Sequence, residues 1–221
     1  RSAFVTGVQT CALPIWRVPV LRLVWPTAPE EPPPPDGFDT EVRLPLRSDV
    51  DSAALMATFR EQVVDLLLSL RGLDRVEVGD EVWERTEDDN RISLSTPTGP
   101  AYWLVTRASG ELSADIAALL GTEARPQWTT CWALPVGHDG TPTPLESDVL
   151  HAPTPTDERM SLPARLIATL PIEASRRRVR PGPAADAILG AAARSYPDLV
   201  RKLDPPRRTA LVPSQIGRAH V

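Results

Sequence analysis

The spacing of apolar positions changes period several times along this chain, and each change predicts a new element. In residues 37–47, GFDTEVRLPLR, Phe38, Thr40, Val42, Leu44 and Leu46 alternate with Asp39, Glu41 and Arg43, the period-two signature of a half-buried strand. Upstream, residues 18–25, VPVLRLVW, are a short apolar run rich in β-formers. The proline-rich stretch 26–36 between them must be extended and solvent-exposed, since consecutive prolines lack donors and favour polyproline II. Two strands joined in this way look like the closing edge of a sheet.

The period then lengthens. Leu55, Phe59, Val63, Leu66, Leu67 and Leu70 fall at helical spacing, with Asp51 or Ser52 available as N-cap and Gly72 as C-cap. Strand patterns return at 75–78 and 81–86 around a Gly79-Asp80 turn. They continue at 91–95, after an acidic loop over 87–90, and at 101–108. A short helix is expected over 113–120, and QWTTCWALPV, residues 127–136, reads as a buried strand by its aromatic content. A loop at 137–147 leads to short strands at 149–151 and 165–172. Residues 183–203 read as helix with a break at Pro197. The expectation is an α+β fold, mostly antiparallel strands with two main helices, without the βαβ alternation of a doubly wound sheet.

The two ends carry a different signal. Residues 5–15, VTGVQTCALPI, match the translation of a common short-read sequencing adapter, and residues 216–221, IGRAHV, match its reverse complement in another frame. We therefore read 1–15 and 216–221 as adapter-derived rather than native. Setting them aside removes Arg1, Arg218 and Cys11, and takes the net charge from −5 to −7. Cys131 is then alone, so a disulfide framework is excluded and a reducing cytoplasm fits. Lys202 is the sole lysine amid abundant Arg, Ala and Pro, which points to a high-GC bacterial source. The acidic balance argues against nucleic-acid binding. No apolar run is long enough to cross a bilayer.

Candidate chemistry is sparse. There is no G-x-S-x-G elbow, and Cys131 inside a Trp-flanked strand reads as core filler. Cys131, His138 and His151 lack paired metal-ligand spacing. Neither G-x-x-x-x-G-K-[ST] nor G-x-G-x-x-G occurs. The one dense cation cluster is Arg176, Arg177 and Arg178, followed by Arg180. Guanidinium forks suit phosphate or carboxylate bidentately; the plainer reading is a solvated loop with local acidic partners. No aromatic platform accompanies the cluster.

Two segments carry a family likeness. GFDTEVRLPL, residues 37–46, resembles the last strand of a GHKL (Bergerat-fold) ATPase module. Residues 149–179, VLHAPTPTDERMSLPARLIATLPIEASRRRV, resemble the region downstream of that module in sacsin-like proteins, bacterial relatives of the ninety-kilodalton heat-shock chaperones. The matching features are a proline-rich strand at 153–156, Leu162-Pro163, an apolar strand at 166–172 and the pair Arg176-Arg177. The resemblance implies a non-catalytic fragment. Residues 16–47 would be the edge of a truncated GHKL sheet, 48–204 an α+β middle segment, and 205–215 a tail or linker. ATP and magnesium would belong to the intact parent, held by an upstream ATPase module that is missing here, since 18–46 contains neither a D-x-G-x-G box nor an Asn-bearing magnesium helix. The fragment would couple nucleotide state to a protein client or a domain rearrangement, with Arg176, Arg177 or Arg178 sensing the terminal phosphate. The alternative is an interaction scaffold with no nucleotide link.

Overall fold

The computed structural model describes residues 6–7, 42–43, 46, 49–120 and 126–213. The expected strand 18–25 and the proline-rich loop 26–36 lie outside the described residues. The chain divides into two compact units, Arg1–Ala57 and Thr58–Val221. In the first, β1 (Thr6–Gly7) pairs in parallel with β2 (Val42–Arg43). Thus β2 falls within the strand expected at 37–47, and its partner comes from the segment read as adapter-derived. Asp51 settles the capping question for α1 (Ser52–Ser69): its Oδ1 accepts from the N–H groups of Ala53 at 2.9 Å and Ala54 at 3.2 Å.

The second unit is built on an eight-stranded sheet. In chain order the strands are β3 (Arg75–Val78), β4 (Glu81–Asp88), β5 (Arg91–Thr96), β6 (Gly99–Glu111), β7 (Gln127–Val136), β8 (Asp148–Ala152), β9 (Thr154–Met160) and β10 (Arg165–Ala168). Across the sheet the order is β3-β4-β5-β6-β7-β10-β8-β9, antiparallel throughout except β10 against β8. Two long helices, α1 and α3 (Pro183–Arg201), supply the cover, with a short α2 (Ala114–Ala118) between β6 and β7. The fold is α+β with mostly antiparallel strands and two main helices.

Strand alternation sorts the core into two clusters. Trp132, Leu134 and Val136 of β7 and Leu166 and Ala168 of β10 pack with Ile188, Ala192 and Leu199 of α3. The intervening Ala133 and Ile167 pack instead with Val63, Leu67 and Leu68 of α1, alongside Trp83, Ile92, Leu94 and Trp103. Small residues on α3 bring its backbone close enough for Trp132 Nε1 to donate to Ala192 O at 2.8 Å. The same indole stacks edge-on against Tyr196 at 4.8 Å. Gly182, at φ +144°, lets the chain turn into α3, and Pro183 occupies the first turn where its missing N–H costs nothing.

Several elements differ from the sequence reading. Pro197 does not break α3. Both Pro197 and Ala193, whose carbonyl loses its donor, are exposed, so that carbonyl is open to solvent while buried Leu199 and Leu203 hold the last turns in place. The acidic loop at 87–90 shrinks to Asp89-Asn90, with Asp89 at φ +47°, because Asp88 pairs with Arg91 and carries β4 two residues further. Residues 205–211, expected as tail or linker, form a 3-10 helix, Pro205–Leu211, whose Leu211 is buried and accepts from the Tyr196 hydroxyl at 2.8 Å. Most of β9 was unforeseen from periodicity. It is an edge strand with Thr156 as its single buried residue.

On the α1 side a chain of charges clamps helix to sheet. Arg165 of β10 pairs with Asp65 of α1, donates from Nε to Asp148 Oδ2 at 2.8 Å, and lies 5.4 Å from the centre of the Trp103 ring. His151, fully buried, stands 3.7 Å from Asp148 Oδ1. Burial pushes the Asp148 carboxyl up. The His151 imidazole and, at shorter range, the Arg165 fork and the Val149 N–H pull it down to about 2.

Two outcomes follow. Asp148→Asn should cost about 2 kcal/mol at neutral pH, the worth of that depression. Because the folded value is the lower one, the contribution is complete above about pH 4 and fades as pH falls through 2. Urea melts of both proteins at pH 7 and near pH 2 check this, and a gap that stays constant would refute it. Trp132→Ala should cost roughly 3–5 kcal/mol, since it opens a cavity and removes the α3 hydrogen bond together. Thermal unfolding with a loss under about 1 kcal/mol would show that α3 is held elsewhere.

Candidate functional site

The arginine cluster sits on a short hairpin after β10. An antiparallel bridge between Ile172 and Val179 closes it, with Arg180 N donating to Pro171 O at 2.9 Å. Inside, Glu173 N donates to Arg178 O and Arg176 N to Glu173 O, both at 2.9 Å. Arg176 takes φ +58°, a left-handed conformation that costs a non-glycine residue about 1 kcal/mol. The hairpin docks on β9, where Asp157 N donates to Arg177 O at 2.7 Å. All three arginines are exposed. Arg177 Nε lies 3.8 Å from Asp157 Oδ2, an ion pair too solvated to contribute much. Arg176 and Arg178 have no ion-pair partner among the described residues. The structure therefore gathers the three arginines in one anchored turn and supplies a local acidic partner to one of them.

A second constellation went unnoticed in the sequence. A cavity of about 210 Å³ opens where α1 ends against the sheet. Leu68, Ser69 and Arg71 line it from the helix side, and Ile167 and Pro153 form apolar wall. Ser69 Oγ donates to Pro153 O at 3.0 Å and ties the helix end to the β8–β9 turn. Register sets the remaining wall: Arg107 of β6 stands opposite Cys131 of β7, which stands opposite Ile167 of β10, and Ser109 stands opposite Thr129. Thr129 is fixed in turn by Thr169, whose Oγ1 accepts from Thr129 N at 2.8 Å.

The cations at this cavity belong to a network. Glu87 is shared by Arg85 and Arg107, and buried Arg85 also donates to Asp74 Oδ1 and Arg71 O, each at 3.2 Å. Arg107 Nη2 is buried yet donates to no acceptor among the described residues, and Arg71 stands exposed at the cavity rim. Burial raises the Cys131 thiol, with the nearby Arg107 charge working against it. The thiol is protonated at neutral pH and unsuited to attack. A signal for this site did exist: Arg107 follows Ala101, Trp103 and Val105 in the α1-facing series of β6, a charge directly after three apolar residues.

No group of three His, Cys, Asp or Glu side chains among the described residues is placed to hold a metal. His138 is exposed and stacks edge-on with Tyr102 at 5.4 Å, far from a ligand role with Cys131 or His151. No helix among the described residues is long and apolar enough to cross a membrane. No family model, no curated protein and no solved structure matches this chain.

Proposed function

We propose that this chain is a non-catalytic part of a cytoplasmic, ATP-driven protein of the sacsin-like, chaperone-related class, coupling nucleotide state to a client or to domain rearrangement. The arginine hairpin carries the reading. A turn fixed by its own backbone bonds, anchored on β9, presents Arg176, Arg177 and Arg178 to solvent, with two of the three guanidinium groups unpaired among the described residues. Such a turn suits an anionic group held by another body. In the proposed parent that group is the terminal phosphate of ATP bound with magnesium on a GHKL module. This chain brings the sensor, and its sequence has no glycine cradle of its own. The competing reading, a scaffold without a nucleotide link, draws on the Arg177–Asp157 contact, which gives the cluster a purely local use.

Titration of this chain with ATP and magnesium in a calorimeter should give no heat of binding; micromolar affinity would place a nucleotide site where none is proposed. Arg→Ala at 176, 177 and 178, made in the gene that carries this segment behind an ATPase module, should leave ATP affinity intact. One of the three should lower turnover by at least about tenfold, a barrier change of about 1.4 kcal/mol. Arg→Lys there should not restore it, because an ammonium lacks the planar fork. If all three variants stay within about twofold, or about 0.4 kcal/mol, the scaffold reading holds instead.

A further inference from the structure

We propose that the cavity at the end of α1 binds a small organic monocarboxylate, its head at Arg107 and Arg71 and its apolar body against Leu68, Ile167 and Pro153.

The lining selects a carboxylate with an apolar body. Arg71 and Arg107 both line the cavity, and Glu87, the carboxylate beside Arg107, is already shared with Arg85. Guanidinium forks suit the planar carboxylate geometry, and the carbon wall beside them suits an apolar group that inorganic phosphate lacks. The rest of the wall fits the same ligand class: hydroxyls of Ser109 and Thr129 on one side, aliphatic carbon on the other. An Arg107 N–H that is buried without an acceptor among the described residues is destabilising. A carboxylate that drew the guanidinium toward it would offset that cost. The arrangement resembles small-molecule sites in general, mostly apolar with a few convergent polar groups. Nothing in it depends on the arginine hairpin, so this site and the proposed function stand or fall separately.

Cys131 provides a reporter in the cavity wall. In a Cys11→Ser background it is the only thiol, and its slow modification by methyl methanethiosulfonate at alkaline pH, where thiolate forms while benzoate stays anionic and the arginines stay charged, can be followed by mass. Benzoate at ten times its Kd should slow labelling about tenfold by mass action. Benzamide, the neutral counterpart, should not slow it. Arg107→Gln should abolish protection by benzoate, and so should Ser109→Leu, which fills the cavity mouth from an exposed position and keeps every charge. Arg176→Gln should leave protection unchanged. No slowing by benzoate at any soluble concentration would overturn the proposal. So would equal slowing by benzamide, or protection that survives in Ser109→Leu with an unaltered melting curve. Inorganic phosphate protecting as well as benzoate would overturn the assignment to a carboxylate. If Arg107→Gln does not fold, Ser109→Leu and benzamide decide the matter.

Discussion

Strand β7 carries buried side chains on both faces, Trp132, Leu134 and Val136 toward α3 and Ala133 toward α1, and neither face can be left to water. An antiparallel sheet often solvates one side, and then its strands read as apolar–polar alternation. Here the second half of the central strand, Cys131 to Val136, reads instead as an unbroken apolar run, and two helices are needed to cover it. The rest of the second unit follows from that demand. The Ala-rich face of α3 lets that helix sit close over Trp132, while α1, with Leu67 and Leu68, reaches the opposite face over Ile167 and Trp103. Helices on both sides of a mostly antiparallel sheet are thus the consequence of one strand's composition.

The two covers are chemically unequal. Beneath α3 the core contacts are aliphatic and aromatic, and the polar attachments are the Trp132 indole in mid-helix and Lys202 at its end, which donates to Asn90 Oδ1 and Val105 O. Beneath α1 the sheet holds Arg85, Arg107 and Arg165 with Glu87, Asp148 and His151. Buried ion pairs are poor sources of net stability, because desolvation consumes most of the attraction. Apolar residues would cover that face as well or better. What the charges add is placement: Arg165 fixes α1 through Asp65, and Glu87 holds two guanidinium groups beside the cavity wall. The α3 side serves stability, and the α1 side is where polar recognition is available.

How much of this was legible in the sequence depends on how far each element relies on its own side chains. Elements with a buried face of their own were readable: β3 and β7 have the bounds expected, and α1 follows its leucine spacing. Elements that lean on a neighbour were not. β6 extends past Ala108 through Ser109, Gly110 and Glu111, which have no apolar pattern, because β7 pairs with each of them. Gly110 is there for Trp128: a Cβ at that position would come within 2.6 Å of the indole. The cavity escaped notice for a related reason. Leu68, Arg107, Cys131 and Ile167 are far apart in sequence, and only sheet order and register bring them together.

The sheet edges add a last constraint that bears on the arginine hairpin. An open edge offers unpaired donors and acceptors to any other strand. β3 limits the exposure by being four residues long. β9 is longer, and it carries Pro155 together with Asp157, Glu158 and Arg159, the charges and proline that discourage edge pairing. The hairpin completes that protection, since Arg177 O takes the Asp157 N–H that would otherwise face outward. Its backbone is therefore accounted for by the edge it covers. Its side chains are not: a turn made only to block an edge has no need of three arginines, nor of holding Arg176 at φ +58° where glycine would rest without strain. The edge does not account for the residues at the turn, and the anionic partner proposed above would.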